Sequence, residues 1–251
     1  MPFSLKNHVA WVTGSSTGLG KSIALELGKA GAKVALNYAN NQARAEASFD
    51  EFTAAGCKGI LVRGDVTDPE QIQSMHAQIA KELGPVDIIV PNATCAQPQK
   101  PIEEYDWPFY QSMLDFFIKS PFLLTRACLP HMKKQKWGRI VNIGSEVFAR
   151  GVGNFSAYVA AKGGQAGWTR SMATELAPFG ITVNLVAPGW IPVERHENDP
   201  KEQKDGYFNL IPAKRWGVPK DVASTVVYFA SDEAGFVTGQ TVAVNGGMTV
   251  G

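Results

Sequence analysis

Apolar side chains along this chain fall into two alternating patterns. Short runs rich in Val, Ile, Leu and Ala stand at 9–13, 34–38, 60–63, 86–90, 140–143, 182–186 and 241–244. Longer stretches with helical apolar spacing separate them, at 18–30, 42–55, 69–83, 106–134, 156–178 and 219–230. The first pattern predicts strands and the second helices. A strand that is apolar on both sides leaves no face for water, so its sheet is parallel and covered by helices on both faces. Right-handed crossovers between such strands give a doubly wound α/β sheet. No repeat or linker interrupts the series, so 1–251 reads as one domain. Only 190–216 breaks the rhythm: it is polar, carries Pro192, Pro200 and Pro212, and follows a strand end. Ligands of open α/β sheets sit beyond the carboxyl ends of the strands, which makes this segment a candidate lid over a site. The plainer reading is a surface excursion.

Composition narrows the function. The 251 residues are 45% hydrophobic and 19% charged, enough to bury a core and too apolar for disorder. With 24 Lys and Arg against 23 Asp and Glu, the near-neutral balance gives no reason to expect nucleic acid or an anionic membrane as partner. Cys57, Cys95 and Cys128 are scattered and form no CxxC pair, which fits neither a disulfide framework nor a zinc site. His8, His76, His131 and His196 show no metal-ligand spacing, so no metal is expected. The N-terminal residues lack the pattern of a signal peptide, and no apolar stretch is long enough to span a bilayer. The expectation is a cytoplasmic protein.

Chemistry begins at Thr13-Gly14-Ser15-Ser16-Thr17-Gly18-Leu19-Gly20, between the first strand and the first helix. Glycines there permit a tight turn and close approach of backbone to an anion such as a pyrophosphate. Free N–H groups at the helix start, aided by its dipole, then bind that anion.

The spacing GxxxGxG with a leading Thr resembles the short-chain dehydrogenase/reductase family, and the resemblance runs through nearly the whole chain. Asp65-Val66 is similar to the segment after the third strand whose acidic residue contacts the adenine, and Asn92-Ala93 to the core of the NNAG motif. Ser145, Tyr158 and Lys162 resemble the family's Ser and YxxxK set. Asn184, Pro188-Gly189 and Ile191 resemble the segment after the sixth strand, and Gly239-Gln240 and Gly246-Gly247 the tail. The resemblance implies a Rossmann-type fold and hydride transfer between a nicotinamide cofactor and a carbonyl or secondary alcohol. The branch it suggests contains 3-oxoacyl-acyl carrier protein reductases and sugar or polyol dehydrogenases, whose substrates would be 3-oxoacyl groups, keto-sugars or small ketones. It implies a homotetramer as well.

The resemblance also implies roles. Tyr158 would exchange the proton on the substrate oxygen, Ser145 would bond that oxygen, and Lys162 would hold the nicotinamide ribose. Tyr158 and Lys162 lie four apart on a predicted helix, hence on one face, and a nearby ammonium would lower the phenol pKa toward working pH. The cofactor contacts would be Gly14, Ser16, Thr17, Gly18, Leu19, Gly20, Asn37, Tyr38, Asp65, Val66, Asn92, Ala93, Tyr158, Lys162, Pro188, Gly189 and Ile191. NAD-specific folds usually end the second strand with a carboxylate. Neutral Asn37 would not repel a 2′-phosphate, which favours NADP(H) over NAD(H); Arg44 is the nearest downstream cation, and a solvated helix residue equally well.

The departures cluster around the same pocket. Phe117 stands where the family usually carries an Asn that helps hold a proton-relay water, and a phenyl ring can neither donate nor accept that bond. Pro91 and Thr94 replace the outer residues of NNAG, and Val193 a customary Thr. These changes raise an alternative: a cofactor-binding protein with impaired catalysis, in a sensing or assembly role. Arg195, His196 and Arg215 could meet substrate or be solvated charges. Trp107, Phe109, Phe116 and Phe122 suit a core or subunit interface better than a substrate box.

Overall fold

The computed structural model describes residues 3–250. Seven strands form one parallel sheet: β1 (Val9–Val12), β2 (Lys33–Tyr38), β3 (Lys58–Arg63), β4 (Ile88–Val90), β5 (Gly138–Ile143), β6 (Ile181–Pro188) and β7 (Thr241–Val244). Their order is β3-β2-β1-β4-β5-β6-β7, so the chain reverses direction across the sheet between β1 and β4. The carboxyl ends of those two strands flank the crevice where such sheets bind ligands. This is the doubly wound, Rossmann-type sheet that the apolar runs predict.

Alternation along β1 and β2 divides the core between the two faces. Ala10, Val12, Val34 and Leu36 pack beneath Ile23 and Leu27 of α1 (Gly18–Lys29) and Val226 and Phe229 of α9 (Pro219–Ala230). Trp11 and Ala35 face the opposite layer, with Ile72 and Met75 of α3 (Pro69–Glu82), Leu124 and Cys128 of α5 (Ser120–Gln135) and Leu176 of α7 (Ser156–Leu176). α2 (Gln42–Ala54) starts at Asn41, whose side chain accepts a hydrogen bond from the Arg44 N–H.

Two sequence expectations need correction. The single helix expected over 106–134 is divided into α4 (Trp107–Leu114), a π-helical turn (Asp115–Lys119) and α5. Periodicity cannot register one wide turn, because the apolar stripe continues through it. Segment 190–216 is not wholly irregular: it holds a 3₁₀ turn (Glu194–His196) and α8 (Lys201–Leu210). That helix is polar on most sides, which hid it from an apolar count. A short α6 (Val147–Arg150) follows Ser145.

Candidate active site

The glycine turn is held from three sides. Gly14 has φ +60°, and a Cβ there would stand 2.7 Å from the Ala93 Cα. A Cβ on Gly20 would strike the Gly14 carbonyl and the Asn92 amide, so both positions require glycine. Asn92 Nδ2 donates to the carbonyls of Thr13 (2.9 Å) and Gly14 (3.1 Å), while the N–H groups of Asn92 and Ala93 donate to the Thr13 hydroxyl. Ser48 Oγ donates to the Ser16 carbonyl. Thr17 ends the turn without capping α1 by its side chain, which leaves N–H groups at Gly18 and Leu19 for an anion.

Asn37 proves to be a brace rather than a free ribose contact. It is buried, its Oδ1 accepts from the Gly14 N–H at 3.1 Å, and its Nδ2 donates to the Gly64 carbonyl at 3.0 Å. Tyr38 is also buried. The cation at this rim is Arg63, opposite Tyr38 in the sheet register, whose exposed guanidinium donates from Nε to the Ala39 carbonyl at 3.2 Å. Reading the sequence element by element missed it, although it closes a predicted strand beside the second one. Arg44 is exposed on α2. Asp65 is exposed and accepts from the Thr67 N–H and hydroxyl at 2.8 Å, whereas Val66 is buried in the core.

Segment 190–216 lies against the glycine turn. Val193 covers Gly18, and Glu194 Oε2 accepts the Gly18 N–H at 3.1 Å. Burial works to raise the Glu194 carboxyl pKa, but bonds from its own N–H, the Thr17 hydroxyl and the Gly18 N–H, with the charge of Lys21, hold it below the usual range. A carboxylate thus occupies the anion position at the start of α1. A cleft of about 880 Å³ runs between α1 and this segment, lined by Lys21, Leu25, Pro192, Glu194 and Trp216. Pro188 and Gly189 join the rim to its neighbours: the Pro188 carbonyl accepts from the Glu146 N–H, and the Gly189 N–H donates to Val244. Ile191 is buried.

Ser145 follows β5 on the side of Tyr158, and its hydroxyl accepts from the Val147 N–H at 3.3 Å. Tyr158 and Lys162 stand one turn apart on α7. Lys162 is 4% exposed, and its Nζ donates to the Ile143 carbonyl at 2.6 Å and to Gln165 Oε1 at 3.1 Å. Nζ also lies 3.8 Å from the centroid of the Phe117 ring, which itself meets the Tyr158 ring edge-on at 5.3 Å. The expected lowering of the phenol pKa is absent. Burial pushes Tyr158 up against the pull of the Ser145 hydroxyl and of Arg195, and Nζ points to Ile143 and Gln165 instead of the phenol. Burial also drives the Lys162 amine well below its ordinary value, with Arg195 adding to the effect.

Of the remaining candidates, Arg195 donates from Nε to His196 at 3.0 Å and lends positive charge to the Tyr158 and Lys162 region. Arg215 is paired on both nitrogens with Asp221 at 2.8 and 3.1 Å, so it is committed to the fold. The Cys95 thiol is pushed up by burial, so nothing activates it. Trp107 and Phe122 are exposed, Phe116 packs at the core edge, and Phe109 stacks on Tyr105. No cluster of His, Cys, Asp and Glu among the described residues could hold a metal, and no described helix is long and apolar enough to cross a membrane.

A braced glycine turn at the sheet crevice, beside Ser145 and a buried Tyr with a buried Lys one turn on, defines an oxidoreductase of the doubly wound α/β class. A family model described as enoyl-(acyl carrier protein) reductase matches residues 14–249. The 3-oxoacyl-[acyl-carrier-protein] reductase FabG of Staphylococcus aureus is 38% identical over 241 residues, 95% of this chain and 97% of that protein. A structure described as a gluconate dehydrogenase from Agrobacterium tumefaciens has a TM-score of 0.93 at 34% identity, covering 98% of this chain and 97% of that one. A 3-oxoacyl-(acyl-carrier-protein) reductase from the same species, with NADP bound, has a TM-score of 0.90 at 30% identity, covering 98% and 95%. The chain belongs to the short-chain dehydrogenase/reductase family.

Proposed function

We propose that this protein is an NADP(H)-dependent oxidoreductase that interconverts a carbonyl and a secondary alcohol, with Tyr158 as general acid and base. The substrate classes that fit are 3-oxoacyl groups, keto-sugars and small ketones. The observation that carries the reading is the buried pair of Tyr158 and Lys162, one helical turn apart on α7, with Ser145 facing the phenol beside the glycine turn.

The site fits a dinucleotide. Gly14 and Gly20 clear the space that backbone approach requires, and a carboxylate already rests on the Gly18 N–H where a phosphate oxygen would bind. Gly14, Ser16, Thr17, Gly18, Leu19 and Gly20 would hold the pyrophosphate, and Asp65 with Asn92 and Ala93 the adenosine side. Pro188, Gly189 and Ile191 would border the nicotinamide. Bound there, the cofactor supplies or accepts the hydride. Arg63, in none of the ion pairs among the described residues, favours the 2′-phosphate of NADP(H) over NAD(H), and the NADP held by the Agrobacterium relative supports the same choice.

Tyr158 delivers or removes the proton at the substrate oxygen, and Ser145 donates a hydrogen bond as charge gathers there. The raised phenol pKa keeps Tyr158 protonated, so carbonyl reduction is the direction for which the side chain is ready. Lys162 fixes the ribose and stabilises the phenolate once the proton has left. Arg195 supplies positive charge toward the same space, which suits a substrate bearing a carboxylate or phosphate. The functional unit is a single domain over 1–251 with 190–216 as its lid, and exposed Trp107 and Phe122 would lie in the contacts of a homotetramer.

The test is oxidation of NADPH and NADH against ketones, 3-oxoesters and keto-sugars, with polyols in reverse. Turnover that vanishes in Tyr158→Phe while cofactor binding persists is the expected result. Cofactor binding with no turnover by either protein would favour the impaired-catalysis reading that Phe117 motivates.

A further inference from the structure

The Lys162 ammonium has no carboxylate in its neighbourhood: it takes part in none of the ion pairs among the described residues. Two of its three N–H directions are nonetheless answered by hydrogen bonds. One meets the Ile143 carbonyl at 2.6 Å, one the Gln165 side-chain oxygen at 3.1 Å, and the Phe117 ring face lies 3.8 Å away at its centroid. The Tyr158 ring is more distant, at 5.7 Å. Gln165 is 1% exposed, and Met113, Ala157 and Ala161 pack around Phe117, so neither partner is free to swing away. The π-helical turn places Phe117 there, and such turns concentrate at working sites.

We infer that Phe117 and Gln165 form a clamp that keeps Lys162 protonated and aimed within the site. This rests on the proposed role of Lys162 in cofactor binding and proton transfer. An aromatic face attracts an ammonium through its quadrupole and has no such attraction for a neutral amine, most strongly where water is excluded. The Gln165 oxygen adds an acceptor that likewise favours the charged form. Opposing them are burial and the positive charge of Arg195; the Cys95 and Tyr158 side chains are the other titratable groups facing this nitrogen. Phe117 and Gln165 reach the Lys162 nitrogen at 3.8 and 3.1 Å. Both are positioning residues that act through Lys162.

The clamp is tested on the full chain without cofactor by nuclear magnetic resonance of lysine labelled at its ε carbon, with the Lys162 signal assigned through Lys162→Arg. Phenylalanines carrying one, two and three ring fluorines at position 117 keep the ring volume while draining its negative face. The expected result is a stepwise fall of the Lys162 titration midpoint across the series, about one pH unit in total. Phe117→Leu and Gln165→Met should lower it too, and Phe117→Tyr should restore it. A midpoint that stays constant across the fluorine series, or one unmoved in Gln165→Met, overturns the clamp, whatever turnover does. Loss of turnover in Tyr158→Phe tests the underlying catalytic reading separately.

Discussion

The Tyr207 hydroxyl, on α8, donates to Glu146 Oε1 at 2.7 Å and in turn accepts the Trp190 N–H at 2.7 Å. Glu146 is buried immediately after Ser145, and its other carboxylate oxygen has no partner. One phenol therefore joins both ends of segment 190–216 to the loop that carries the Ser hydroxyl. Trp216 stacks on the same ring at 5.8 Å, and Arg150 Nη1 meets the same Glu146 oxygen, Oε1, at 2.8 Å.

Removing that hydroxyl should loosen the segment without dismantling the sheet. Tyr207→Phe leaves a buried carboxylate short of a donor, at a cost of about 1–3 kcal/mol. A lowered Tm and faster proteolytic cleavage within 190–216 are expected. An unchanged cleavage rate would show that the aromatic stack holds the segment by itself.

Glu194 should compete with the cofactor for the start of α1. Glu194→Gln keeps the shape and removes the charge that favours the helix N-terminus, so dinucleotide affinity should rise by about twofold to fivefold. Because the folded carboxyl pKa is depressed, the contact is fully formed above the ordinary carboxylate value. It is lost as pH falls through the depressed one. Fluorescence titration of NADPH against pH should show the wild type gaining on the variant toward acid.

Asn37→Asp separates a brace from a selectivity switch. If Asn37 governed cofactor choice from the ribose, a carboxylate there would turn preference to NAD(H). Its burial between the Gly14 N–H and the Gly64 carbonyl predicts the loss of a donor, and stability falls by about 1–3 kcal/mol. Chemical denaturation beside cofactor titration distinguishes the two.

Arg63→Ala should then do what Asn37 cannot. Affinity for NADPH is expected to drop about tenfold, the scale of one charge-assisted contact, while NADH binding stays within twofold. Equal losses for both cofactors would remove Arg63 from recognition of the 2′-phosphate.

The strands were legible because each is an apolar run bounded by glycine or charge, and β7 begins and ends where the pattern places it. Gly14, Asn92, Ser145, Tyr158 and Lys162 were legible because motif spacing brings them to one sheet end. What escaped were relations between side chains distant in sequence. Asn37 lies at a strand end in either case, and only burial distinguishes a brace from a ligand contact. Gln165 stands three residues from Lys162 on α7, and only the direction of the Lys162 nitrogen shows that the two are bonded. The Tyr158 pKa was misjudged for the same reason: proximity along α7 says nothing of where the Lys162 nitrogen points.

A sheet whose strands all run one way has two unlike rims. At the amino-terminal rim, Asp87 receives the Val9 N–H and Gln135 Nε2 and meets His131, joining β1, β4 and α5 far from any motif discussed above. The turns proposed to hold cofactor and substrate leave the opposite rim. Sequence drift can therefore rewrite what this protein acts on while the knot at Asp87 keeps the chain folded. A variant library confined to the carboxyl-terminal turns would explore new substrates from a scaffold whose fastening it never touches.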